Sequence, residues 1–489
     1  MKRLFFILVI AILPFVSFAE GLNAIYSFST FNIPSQKPYV EINTSIQAKS
    51  LIYMNNEATI EFTLLIIKDS QIVYVEKRDL KATQANSEAS IIDIQRVSLD
   101  NGQYSARFEL KDKNTSMTPL VIEDNFEINY PKNQIAVSSV QLIDSYKKTT
   151  SQNIRSKNGY DLIPYLFDAI AENKNTLTYY AEIYNAEKEF GKDSTYAISV
   201  VLESIKTGKK FEAIQKIKRE KAREISVEIG NLDITSLPQG GYYLVVEARN
   251  KNNILYAYSK TAFYRYSNVD NNFQSTIPSD AFVNMISKDE IDENIYCLIP
   301  IASEAQKTFI LKHMKTSSID DKKHFLYVFW RGINPENPNF EWQSYMKEVK
   351  IVNEKYSTKI KKGYETEMGR VYLQYGKPDV VIDEKFKATS GMRKSSLANQ
   401  ALNPLNAEFS QDAISYMPYQ IWKYHNTPYG EVNKGFVFYA PQNNLMEYFL
   451  LHSDAKGEPS DVDWETRLTR GNMPEGMSGE AGLQFKRGY

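Results

Sequence analysis

The chain is poor in the residues that staple or metallate a protein, and its net charge is close to zero. Its single cysteine, Cys297, excludes an intrachain disulfide. The four histidines, His313, His324, His425 and His452, show no HExxH or comparable ligand spacing, so a histidine-built metal site is not expected. Acidic and basic residues nearly cancel, 59 against 58. Nothing therefore points to a nucleic-acid partner, which would favour a basic face. After the N-terminus no apolar run reaches the length of about 20 residues that a spanning helix needs.

The N-terminal run itself is informative. "MKRLFFILVIAILPFVSFAE" has Lys2 and Arg3, then apolar residues 4–16, then the small residues Ser17 and Ala19. This is the layout of a secretory signal peptide cleaved after Ala19. Residues 1–19 are therefore set outside the fold. No cysteine follows the cleavage site to carry a lipid. The expected location is the periplasm, against the outer membrane. An exported chain without disulfides must hold itself together by core burial.

Most of the following sequence alternates with period two. "ATIEFTLLIIKDSQIVYVEKRDL" (58–80) reads as a hairpin turning at Asp69-Ser70, and 196–218 as another turning at Thr207-Gly208. An offset of 138 residues carries Ile60 onto Ile198, Leu64 onto Leu202, Gly102 onto Gly240, Tyr104 onto Tyr242 and Glu109 onto Glu247. One offset aligning a hairpin and a closing strand suggests a duplicated module. Short strands with Gly, Pro and Asn turns point to sandwiches. The basic stretch 209–225 is interrupted by Glu212, Glu220 and Glu224 and reads as a solvated strand face.

After about residue 270 the period becomes helical. Ser287 with Glu290, and Ser303 with Gln306, form capping boxes ahead of apolar runs. A third short helix is expected within 318–338, ended by the Asn-Pro turns, and a longer one from about 340 to 361. Strands are expected at 370–375, 419–424, 435–439 and 446–452, with a polar loop or lid at 384–412. The expected architecture is multidomain: two tandem all-β immunoglobulin-like sandwiches, then an α+β C-terminal domain with helices before a small antiparallel sheet. The boundaries are 20–132, 133–270 and 271–453, followed by a loosely ordered tail, 454–489.

"KKGYETEMGRVYLQYGKPD" (361–379) concentrates the polar chemistry. Gly363 suits the residue just past the long helix, where φ > 0 is wanted. Gly376 and Pro378 suit a turn, and Tyr375 the buried side of a strand. Arg370 is a candidate for a bidentate carboxylate tie. Glu365, Glu367 and Asp379 are the carboxylates available for acid–base work beside it.

Three pieces carry a resemblance: "FLYVFWRGINPENP" (325–338), "GYETEMGRVYLQYGKPD" (363–379), and "PYQIWKYH" with "GFVFYAP" (418–425 and 435–441). With these the chain resembles the GWxTD-domain proteins, exported bacterial proteins common in Bacteroidota. In the name-giving motif Tyr364 stands for the tryptophan and Glu367 for the aspartate. The resemblance covers about 150–200 residues and implies β-rich N-terminal domains, with no established reaction. The resulting expectation is a non-enzymatic envelope protein without cofactor, metal or catalytic residues, bound to envelope or outer-membrane proteins. Candidate contact groups are Phe329, Trp330, Arg331, Trp342, Tyr364, Arg370, Trp422 and Tyr424, with Phe329 and Trp422 expected in the core and Trp330-Arg331 at the surface. Glycan binding on exposed tyrosines is one alternative. A hydrolase using Glu365, Glu367, Asp379 and Arg370 is the other.

Overall fold

The computed structural model describes residues 22–469, except 88, 118, 168, 267–276, 385–387, 390–413, 442–445 and 462. Residues 1–21, which include the expected signal peptide, nearly all of the 384–412 segment and residues 470–489 lie outside the described residues. The described chain is multidomain and β-rich, with several sheets and a helical region.

The first unit has seven strands: β1 (Ala24–Phe31), β2 (Tyr39–Gln47), β3 (Glu57–Lys68), β4 (Gln71–Thr83), β5 (Ser90–Ser98), β6 (Gly102–Asp112) and β7 (Leu120–Ile128). They form two sheets, ordered β1-β2-β5 and β4-β3-β6-β7. Val40, Ile42 and Ile46 of β2 and Val97 of β5 share one core with Ile60, Phe62, Leu64 and Ile66 of β3 and with Phe108 of β6. The alternation of β3 supplies this inner face. Asp69 and Ser70 both have φ > 0, at 50° and 64°, as a tight two-residue hairpin turn requires.

The second unit contains β8 (Ala136–Val137), β9 (Gln141–Lys148), β10 (Ser156–Lys157), β11 (Tyr160–Pro164), β12 (Ala169–Ile170), β13 (Thr176–Tyr184), β14 (Thr195–Ser204), β15 (Lys216–Lys221), β16 (Ile225–Asp233), β17 (Gly240–Arg249) and β18 (Leu255–Arg265). A short helix, α1 (Ala186–Phe190), joins β13 to β14. Its sheets run β10-β11-β9-β13-β16 and β12-β18-β17-β14-β15. Within them, β9-β13-β16 repeats β1-β2-β5, and β15-β14-β17-β18 repeats β4-β3-β6-β7. The detail repeats too. Gly102 and Gly240 open β6 and β17 with the same φ of 156°. The Tyr104 hydroxyl donates to the Asp100 carbonyl at 2.7 Å, and the Tyr242 hydroxyl to the Pro238 carbonyl at 2.8 Å. Tyr104→Phe and Tyr242→Phe are each expected to lose about 0.5–1.5 kcal/mol, the net worth of one hydrogen bond. Urea unfolding of the two variants checks this, and matched losses are the expected result.

The second hairpin turns where expected: Glu203 bridges Lys210 antiparallel, and the Ser204 N–H donates to the Lys209 carbonyl at 2.9 Å. Residues 205–215 separate β14 from β15 and include a single 3-10 turn, Glu212–Ile214. Gly208, at φ 67°, closes the tight turn by donating to the Ser204 carbonyl at 2.8 Å, and the chain leaves the ladder only after Phe211. The basic stretch is largely neutralised: Lys210 pairs with Glu247, Lys218 with Glu228 and Lys221 with Asp193.

The two units stack through β2 and β13, which are buried on both faces. The layer between them combines an apolar cluster of Phe31, Tyr39, Ile143, Leu162 and Tyr180 with buried polar groups. Glu41 receives Arg96 at 2.8 Å and Lys157 at 2.9 Å. Glu182 receives the hydroxyls of Tyr180 and Tyr184 at 2.6 and 2.7 Å. Tyr184 also accepts from the backbone N–H of Asn32, at the end of β1.

The third unit begins with α2 (Lys288–Tyr296), α3 (Glu304–Phe309), α4 (Ile319–Ile333), α5 (Pro338–Tyr356) and α6 (Glu367–Tyr375). Both expected capping boxes are present, at Ser287/Glu290 and Ser303/Gln306. Then come β19 (Val380–Glu384), β20 (Ala388–Thr389), β21 (Ile414–Ser415), β22 (Tyr419–Asn426), β23 (Val432–Tyr439) and β24 (Phe449–Ser453), with the main sheet ordered β19-β22-β23-β24. One sheet face packs Trp422, Tyr424, Phe436 and Phe438 against Val349, Val352, Val371 and Tyr372 of α5 and α6. No helix among the described residues is long and apolar enough to cross a membrane.

Two expectations are corrected here. Residues 370–375 are helical, not a strand. Thr366 caps the helix by accepting from the Gly369 N–H, and Met368, Val371, Tyr372 and Tyr375 form its buried stripe. That i, i+3, i+4, i+7 pattern outweighs the short alternation of "RVYLQY". Residues 454–469 are not a loose tail either. They contribute Ala455, Glu458 and the helix α7 (Trp464–Arg467), and Leu468 is buried with Tyr419, Val437 and Phe449 on the other sheet face.

His452 belongs to this face. Its ring stacks on Trp464, and its Nδ1 accepts from the Asp461 N–H at 3.0 Å. Burial lowers its pKa below the ordinary 6.5. A depressed folded-state pKa gives stability that is present above pH 6.5 and lost as the pH falls through the folded value. Urea midpoints should therefore decline as the pH falls from 7 to 5, and His452→Gln should flatten that slope.

Candidate functional site

The quoted stretch is a joint between α5, α6 and the sheet. Gly363 opens a 3-10 turn, Gly363–Glu365, and is buried. It does not take φ > 0; its glycine identity answers to close approach. A Cβ at Gly363 would lie 2.1 Å from the Val352 carbonyl oxygen of α5. A Cβ at Gly369 would lie 1.9 Å from the Gly363 carbonyl oxygen. The φ > 0 role falls to Gly376, at 90°, which ends α6. Its carbonyl accepts the Tyr424 hydroxyl at 3.0 Å, and the adjoining Pro378 is buried.

The four candidate groups Glu365, Glu367, Arg370 and Asp379 are all engaged. Arg370 forks onto both oxygens of Glu458 at 2.8 and 2.7 Å, and also reaches Glu367 and Gln374. The Glu458 side chain is 6% exposed and takes the Tyr375 hydroxyl at 3.0 Å. Burial, then the Glu458 charge, push the Tyr375 phenol far up. Glu365 accepts from the Lys362 N–H at 2.7 Å, closing the 3-10 turn. Asp379 accepts from the His425 N–H at 2.7 Å and lies 3.1 Å from its Nδ1. The backbone hydrogen bond, followed by the side-chain one, lowers the Asp379 pKa. The tie expected of Arg370 is thus present, though it starts from a helix.

The aromatic candidates are mostly core. Trp330 is 2% exposed, which corrects its expected surface position. It lies on the inner stripe of α4 with Phe325, Leu326 and Phe329, its ring tilted against Tyr345 at 5.3 Å; the turn begins only after Ile333. Phe329, Trp422, Tyr424 and Tyr364 are buried as well. Arg331 is exposed, 6.0 Å from the Tyr327 ring. Trp342 donates to the Asn294 side chain at 2.8 Å.

Beside Asp379 and His425 opens a shallow cleft of about 340 Å³, walled by Lys423, Tyr424, Lys434 and Asp454. Lys434 donates to the Asp454 carbonyl, whereas Lys423 points to solvent. No group of three or more His, Cys, Asp or Glu among the described residues is placed to hold a metal ion. Cys297 is buried, and burial pushes its thiol far above the reactive range. Glu458 was not foreseen. It lies 88 residues from Arg370, in the segment read as tail, and no local pattern links the two.

These features define a multidomain β-rich protein whose motif residues are tied into the fold. No protein-family model matches the chain, and no curated protein matches it. Among solved structures, E. coli alpha-2-macroglobulin in its native conformation is similar over 53% of this chain and 16% of that chain, at 9% identity and a TM-score of 0.16. A likeness of that size carries no argument about fold or activity.

Proposed function

We propose that this is a non-enzymatic protein of the bacterial envelope, a structural and protein-interaction module of GWxTD type, exported to the periplasm. Its partners are envelope or outer-membrane proteins. The observation that carries this reading is the engagement of Glu365, Glu367, Arg370 and Asp379 by the fold itself. A carboxylate capping a turn, or paired to an arginine, is not poised for proton transfer to a substrate. The two sandwiches are immunoglobulin-like on this reading. Support comes from the repeated strand order and from a tyrosine near the start of the sixth strand that bonds back to the chain four residues upstream. They act as one spacer, and the C-terminal unit presents the contact face.

With the aromatic candidates buried, that contact face is polar, formed by Arg331 and the Lys423 cleft. The glycan alternative would want a row of rings; among the described residues, β18 exposes Tyr256 and Tyr258. The test is cross-linking in living cells of wild type, Lys423→Glu and Arg331→Glu. Both substitutions lie at exposed positions and should leave the fold intact. An envelope protein captured stoichiometrically by wild type and lost from either variant is the expected result. Capture of nothing by all three, with glycan hydrolysis by the purified protein, would overturn the proposal.

A further inference from the structure

The layer between the sandwiches contains an arrangement that a spacer does not require. Lys157 of β10 has 4% of its side chain exposed. Its Nζ lies 2.9 Å from Glu41 Oε2 and 3.2 Å from Gln141 Oε1. Gln141 Nε2 donates to Glu41 Oε1 at 2.9 Å. One carboxylate therefore bridges an amine and a carboxamide nitrogen, while the same amine touches the carboxamide oxygen. Phe31 and Tyr180 wall the site, with Nζ 3.5 and 5.3 Å from their ring centres. Glu41, Gln141 and Lys157 are all buried.

We propose that Lys157 and Gln141 join in an intramolecular isopeptide bond, with Glu41 as the proton carrier. The Nζ lone pair attacks Cδ of Gln141, and the Cδ–Nε2 bond breaks. Glu41 takes a proton from Nζ at Oε2 and, after its carboxyl turns, delivers that same proton to Nε2. The departing nitrogen leaves as ammonia, or as ammonium when Lys157 enters protonated. An amine and a primary amide become a secondary amide and ammonia, with no oxidant, reductant or cofactor.

Three physical conditions favour the step. The reacting groups are held at contact distance, which replaces an encounter in solution. Burial lowers the Lys157 pKa and so favours the neutral nucleophile, although the Glu41 charge opposes this. Burial works against the charge on Glu41, but Lys157 and Arg96 outweigh it and hold its carboxyl at about 2, in the proton-accepting form. The parts also come from both units. Glu41 lies on β2 of the first sandwich, and Gln141 and Lys157 lie on β9 and β10 of the second. The site is complete only after the sandwiches dock, so the bond would record correct assembly and staple β10 to β9.

The test is the intact mass of the full mature chain, purified folded and measured under denaturing conditions. The expected mass is one ammonia below that of the sequence. Trypsin should fail to cut after Lys157 and should yield a branched peptide joining residues 133–147 to 156–174. Glu41→Gln and Lys157→Arg should each restore the full sequence mass, with native circular dichroism confirming the fold. A wild-type chain at full mass and cut after Lys157 would overturn the proposal, leaving an ion-pair clasp. That result stands whether or not either variant folds. A cross-link that persists in Glu41→Gln would overturn the role of Glu41.

Discussion

Gly369→Ala is expected to destabilise the C-terminal unit by more than about 3 kcal/mol, beyond the usual range for overpacking a core. The added Cβ would lie 1.9 Å from the Gly363 carbonyl oxygen and 2.8 Å from Val352 Cγ1. The nearer obstacle is backbone, which cannot swing aside as a flexible side chain would. Nor can Gly363 retreat, because the place of its own Cβ is occupied by the Val352 carbonyl at 2.1 Å. α6, the Gly363 turn and α5 thus form three layers in direct backbone contact. All four tryptophans, Trp330, Trp342, Trp422 and Trp464, belong to this unit. Their fluorescence in urea therefore reports its unfolding with no signal from the sandwiches. An alanine variant as stable as wild type would contradict the layered arrangement. Gly376→Ala provides a contrast. Nothing lies within 4 Å of its Cβ position, so only the backbone cost of φ 90° and ψ −174° applies, about 1–3 kcal/mol in a region essentially reserved for glycine.

The second large effect is expected at Arg370. Arg370→Ala would strand Glu458, whose side chain is 6% exposed, with the Tyr375 hydroxyl as its remaining side-chain hydrogen bond among the described residues. Removing one partner of a buried ion pair costs about 3–5 kcal/mol, because the other charge is left uncompensated. Arg370→Lys should recover only part of this. An ammonium cannot reproduce the two parallel hydrogen bonds to Oε1 and Oε2. Tryptophan fluorescence in urea measures both variants. A loss below about 1 kcal/mol, the value of an exposed pair, would contradict the burial of this tie.

What could be read from the sequence was local or periodic. The Asp69-Ser70 hairpin, the two capping boxes and the repeat at Tyr104 and Tyr242 each rest on residues a few positions apart, or on one constant offset. What could not be read depended on packing between distant segments. Glu41, Asn43 and Ser45 alternate with apolar residues on β2, as a solvent face does; they are buried because a second sheet covers them. "RVYLQY" satisfies a strand and a helix alike, and the Thr366 cap with the α5 surface selects the helix. Trp330 precedes an Asn-Pro turn, but α4 runs one residue past Gly332 and keeps the ring inside. The partner of Arg370 follows from no spacing, since only the folded chain brings Glu458 to it.

The most direct test of the claim that residues 363–379 are a structural joint is a double-mutant cycle on Arg370 and Glu458. Arg370→Met, Glu458→Leu and the double variant are unfolded in urea while tryptophan emission is followed. Each single variant should be strongly destabilised, and the double should regain most of the loss, because apolar groups replace both buried charges at once. The coupling energy should exceed about 2 kcal/mol, within the range for residues sharing a buried network. Additive losses, with coupling near zero, would contradict the tie and return Arg370 to the surface as a candidate ligand-binding group.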